Sequence, residues 1–110
     1  MGPEDRDSLS KLPADIANDP ALNEKFLKVF QKRSPQIKDA KIIINSKKWL
    51  DNYQFNRLIE KNRMALAVYQ EDGQYYAEYF TFSMPYSENG WCDIVIRDVH
   101  DKYNIDKSLV

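Results

Sequence analysis

The sequence predicts an α+β domain in which an N-terminal helix packs on a curved antiparallel sheet of about four strands. Three observations predict it. Residues 20–33 carry apolar side chains at helical spacing between a start and a stop signal. From residue 62 onward the pattern changes to apolar alternation at strand period, punctuated by turn residues. The helix comes first and the strands follow, which segregates the helix to one face of a sheet.

Residues 1–17 read as a flexible or partly helical lead-in, and 18–110 as a single α+β domain. The first eight residues are polar, and Leu9, Leu12 and Ile16 fit one short amphipathic turn with Pro13 at its first helical position. Asn18-Asp19-Pro20 then opens the main helix: Asp19 can cap exposed N–H groups, and Pro20 is pre-set in φ. Leu22, Phe26, Val29 and Phe30 fall on one face of it. Lys32 and Arg33 sit at the negative end of the helix dipole, and Ser34-Pro35 ends it.

Ala40–Asn45 reads as a strand because three consecutive isoleucines favour a pleated surface. Residues 46–62 mix both periods and read as a loop or short helical turn leading into a bent strand. Strands are then expected at 63–70, 74–84 and 91–100, with a three-residue turn at Glu71-Asp72-Gly73 and a longer loop over 85–90.

That three-residue turn would make positions summing to 144 face one another. Met64, Leu66, Val68, Tyr76, Glu78 and Phe80 would share the aliphatic face beneath the helix. Tyr69, Tyr75, Tyr79 and Trp91, flanked by Asp93 and Arg97, would line the other. A two-residue turn at Asp72-Gly73 would exchange these memberships. Four large rings bury about 150–250 Å² each, worth at most roughly 15–25 kcal/mol together. One helix covers one face, so the second face needs its own cover: the chain's residues 1–17 or 46–60, a protein partner or second copy, or a small molecule.

Composition narrows the class. The 110 residues are 43% hydrophobic and 13% aromatic, enough for a core and too much for a disordered tail. No apolar run approaches the roughly 20 residues of a membrane span. A single cysteine, Cys92, excludes an intramolecular disulfide. As it stands the sequence fits the cytoplasm, or the periplasm or outside of the cell if a leader was removed. The net charge of −1 hides an asymmetry: residues 24–63 hold eleven Lys and Arg against four Asp and Glu.

Candidates for chemistry are sparse. Cys92 and His100 would lie roughly 26 Å apart on one strand, too far for a dyad, and Cys92 reads better as a small core residue. With three glycines and one histidine, neither a phosphate loop nor a zinc site is available, and no cofactor is implied. Glu78, on the helix face, could anchor a ligand or act as an acid. Trp49, Tyr53 and Phe55, interleaved with Lys47, Lys48, Arg57, Lys61 and Arg63, could stack bases and neutralise phosphates; the acidic balance of the whole argues against nucleic acid.

In element order the chain is similar to the cystatin-like and NTF2-like architectures. The Gln-x-Val-x-Gly wedge of cystatin-type inhibitors is missing, so protease inhibition is not implied. The NTF2-like layout implies a cone-shaped cavity and dimerisation through the open sheet face. The resulting expectation is a non-enzymatic interaction module, an adaptor, inhibitor or immunity-type protein, binding a partner or itself through Tyr69, Tyr75, Tyr79, Trp91 and Arg97. A small-ligand carrier or enzyme around Glu78 is the alternative, and nucleic-acid binding through 47–63 a weaker one.

Overall fold

A computed structural model describes residues 7–110; the first six residues of the expected lead-in lie outside the described residues. The elements in chain order are β1 (Ser8–Leu9), α1 (Pro20–Arg33), β2 (Ala40–Ile43), β3 (Leu50–Gln54), β4 (Arg57–Glu71), β5 (Gln74–Ser87), β6 (Gly90–Trp91) and β7 (Val95–Ile105), with a 3₁₀ turn at Lys107–Leu109. The chain is α+β, with one α-helix among the described residues lying on a curled, half-barrel sheet. Its main path runs β1-β7-β5-β4-β2, with β3 alongside β4 and β6 alongside β5.

The sheet is larger than the expected four strands and is mixed. Ser8 and Leu9 pair parallel to Asn104 and Ile105. Two residues this close to the start of the chain carry no strand periodicity of their own; β7 recruits them. Leu9, Leu12 and Ile16, expected on one helical turn, lie in a stretch with no helix, and Leu9 and Leu12 pack beneath the sheet.

α1 begins and ends where its caps dictate. Asp19 accepts a hydrogen bond from the Leu22 N–H at 3.2 Å, and the Ser34 N–H returns to the Phe30 carbonyl at 2.9 Å. Phe26 and Phe30 are fully buried. Each ring removes about 150–250 Å² from water, worth at most roughly 4–6 kcal/mol, so these two side chains hold the helix to the sheet.

The decisive departure is one residue of register. The β4–β5 turn has two residues, Asp72 and Gly73, both at positive φ (53° and 79°), the geometry whose twist suits a tight hairpin. Glu71 therefore faces Gln74, and Tyr69 faces Tyr76. Every β4 side chain changes face relative to the three-residue reading. Ala65, Ala67 and Tyr69 lie under α1 with Tyr76, Phe80 and Phe82. Leu66 and Val68 lie on the opposite face with Ala77, Tyr75 and Tyr79. The small alanines make room for the helix rings, and Phe26 stacks on Phe82 at 4.0 Å between centroids.

Of residues 46–62, ambiguous in sequence, the part from Leu50 to Asn62 forms a second tight hairpin. β3 pairs with the start of β4 across Phe55 and Asn56, both at positive φ (51° and 64°). At the far end, β5 extends to Ser87 and turns into β6, residues 92–94 are irregular, and the last strand runs over Val95–Ile105 rather than 91–100. The fifteen residues of β4 at about 3.3 Å each account for the 46 Å long axis. No helix among the described residues is long and apolar enough to cross a membrane.

Candidate functional site

The residues expected to make one aromatic face are distributed over three places. Tyr69 is buried under α1, its ring 5.4 Å from Phe30, and donates its hydroxyl to Glu78 at 2.8 Å. Burial, and then the bond to Glu78 and its charge, push the Tyr69 phenol far above its ordinary value. Glu78 is on the helix face as expected, but opposite Ala67 rather than Leu66. Tyr75 and Tyr79 are on the other face. They pack with Ile43, Leu66, Val68 and Ile105, and with Leu9, Leu12 and Leu109 from the two ends of the chain. Half of the second face is thus covered by the protein's own terminal segments.

The other half of that face is polar and has a carboxylate at its centre. Glu60 on β4 is only 5% exposed. It accepts the Ser83 hydroxyl at 2.8 Å, the Asn52 amide at 2.7 Å and the Arg97 guanidinium. Burial pushes its carboxyl up, but the three donors together outweigh it and hold the group below its ordinary 4.5. Arg97, expected to flank an aromatic patch, instead closes this network. Beside it, Thr81 and the Nε2 of His100 are 2.6 Å apart, with the Met64 sulfur 3.1 Å from the same hydroxyl.

The third place is the hairpin end of the sheet. Tyr86 on β5 and Trp91 on β6 are paired, with ring centroids 4.8 Å apart. The Lys61 ammonium lies 4.4 Å from the Trp91 ring and 5.2 Å from that of Trp49. In the turn that follows β3, Phe55 is 91% exposed, and Tyr53 and Leu50 on that strand are exposed as well. A bulky residue in a left-handed turn position is strained, and stability alone favours Asn-Gly there. Phe55 carries the cost of that conformation and of a fully wetted ring. A reading of Gln54–Arg57 as a two-residue hairpin turn would have exposed this in the sequence; the mixed periodicity of 46–62 hid it.

Cys92, expected in the core, is exposed, because the chain leaves strand geometry after β6 and carries it outward. His100 lies within β7 and not at its end. Of the basic segment, Arg63 is buried, 8% exposed, and donates to the Ser46 carbonyl at 2.9 Å, so it cannot reach a phosphate. Among the described residues no three His, Cys, Asp or Glu side chains gather as a metal site. Glu60 was missed because nothing local marks a strand glutamate whose partners lie 8, 23 and 37 positions away. Comparison with family models, curated proteins and solved structures finds no match to the chain.

Proposed function

We propose that this chain is a non-enzymatic protein-interaction module, and that its contact surface is the hairpin end of the sheet rather than the tyrosine face. Phe55 and Tyr53 at the tip of β3–β4, with the Tyr86–Trp91 pair, form the anchor. The observation that carries the reading is Phe55, an aromatic ring 91% exposed at φ 51°. Rigid aromatic side chains that bury on contact are the usual anchors of protein interfaces. Strained positions cluster where binding uses them.

The polar centre supports the same reading. The Glu60 carboxylate is saturated by three donors and held ionised, an arrangement that ties β4 to its neighbours and leaves no free acid for chemistry.

The test compares the wild-type chain with Phe55→Gly as baits in its own cell extract, read by quantitative mass spectrometry. Glycine adopts positive φ without strain, so loss of binding cannot be attributed to a misfolded turn. The expected result is a partner whose recovery falls by about tenfold or more, roughly 1.4 kcal/mol of binding. Equal recovery of every protein by both baits overturns the proposal. Sedimentation of both chains shows whether the partner is a second copy.

A further inference from the structure

We infer that the groove between α1 and residues 91–96 binds an acidic, apolar-anchored segment of a partner polypeptide. It extends the interaction-module reading to an adjoining surface, which shares Trp91 with the hairpin-end anchor and does not depend on Phe55. Lys25, Lys28, Lys32 and Arg33 recur at helical spacing and form a cationic stripe along α1. The stripe is one wall of two adjoining hollows of about 530 and 520 Å³, which share Lys28, Val29, Asp93 and Ile94.

Charge decides the occupant. Among the described residues none of the four cations makes an ion pair, and Arg33 lies over the Phe80 ring at 5.8 Å. Asp93 is the one carboxylate among the described residues that line the groove. Like charges at i and i+4, such as Lys28 and Lys32, repel, and only the last-turn cations are favoured by the helix dipole. An anionic partner relieves this repulsion.

The floor decides between a peptide and a nucleic acid. Val29, Met84, Ile94 and Ile96 present aliphatic side chains, which suit aliphatic or aromatic anchors from a peptide. Binding a single strand needs successive aromatic platforms for bases, and Trp91 is the one ring among the described residues that line the groove. The outer edge of β7 before Asn104 has no strand partner among the described residues, so main-chain donors and acceptors lie beside the groove.

The experiment uses the full chain and a fluorescein-labelled peptide of three Glu-Leu-Glu-Phe repeats, followed by anisotropy. A Lys-Leu-Lys-Phe peptide and a single-stranded oligonucleotide are the competitors. Binding of the acidic peptide is expected to weaken as salt rises, to fall about tenfold or more in Lys28→Glu/Lys32→Glu and by less in Lys28→Gln/Lys32→Gln. Both residues are exposed, so the fold is retained, which circular dichroism checks. Bound peptide is also expected to slow modification of Cys92, the single and exposed thiol lining the groove. Phe55→Gly is expected to bind this peptide as the wild type does, whatever its effect on the hairpin-end partner. No binding, equal binding by the charge-reversed chain, an unprotected Cys92, or an oligonucleotide that displaces the peptide at the same salt overturns the inference.

Discussion

Arg97 on β7 reaches across β5 to the carboxylate of Glu60 on β4, and Ser83 on the intervening strand donates to the same carboxylate from 2.8 Å. With the Asn52 amide of β3 also donating to it, one buried acid thus joins four strands. Glu60→Ala leaves the Ser83 and Asn52 donors without their acceptor and should cost about 2–3 kcal/mol. Arg97 keeps 49% of its side chain in solvent, where an ion pair is screened, so Arg97→Ala should cost about 1 kcal/mol or less. Urea unfolding of both variants checks the order; a larger loss in Arg97→Ala would contradict it.

Acid stability follows from the same group. The folded Glu60 carboxyl titrates below its ordinary 4.5, so the unfolded chain takes up the proton first as pH falls. The stabilisation is complete above that ordinary value and is lost as pH drops through the lowered folded value. The stability gap between wild type and Glu60→Gln should therefore be constant near neutral pH and shrink below pH 4.5, measured by urea midpoints at each pH.

The buried phenol of Tyr69 has the opposite sign. Its ionisation is pushed up by burial and by Glu78 from an ordinary 10.0. The neutral phenol favours the fold below that value, and the contribution is lost as pH rises beyond it. Tyr69→Phe should lose about 1 kcal/mol at neutral pH for the missing hydrogen bond and unfold at a higher alkaline pH. Absorbance at 295 nm and circular dichroism, followed together, read both.

The Phe55-Asn56 turn should be easy to stabilise. Phe55→Asn with Asn56→Gly installs the preferred pair at two positive-φ positions and should raise stability by about 1 kcal/mol while weakening partner binding. In the other turn, Gly73 has φ 79° and open space where a methyl group would stand, so Gly73→Ala should cost about 1 kcal/mol from the backbone alone. Thermal melts of the variants decide both.

Two phenylalanines should respond very differently to truncation. Phe26 is fully buried between Phe82 and Trp49, and Phe26→Ala should cost about 3–5 kcal/mol. Phe55→Ala should change stability by no more than about 0.5 kcal/mol, so any loss of binding in that variant is a surface effect.

What the sequence determined by itself is what neighbouring residues decide among themselves. Asp19, Pro20 and the spacing of Leu22, Phe26, Val29 and Phe30 set α1 because each acts within one or two turns of the chain. The apolar alternation after residue 62 marked the β4–β5 pair, though β4 begins at Arg57 and the last long strand at Val95, and the parity of Tyr76, Glu78 and Phe80 put the correct side of β5 under the helix. Only the tertiary structure decided the rest. A single residue in the Asp72-Gly73 turn moved Tyr69 to the helix face and left Tyr75 and Tyr79 on the other. The terminal segments, not a partner, took half of that second face, and Glu60 found donors on three other strands. Strand side chains alternate at every step, so register transfers whole rows between faces, and contacts across many positions leave no trace in local pattern.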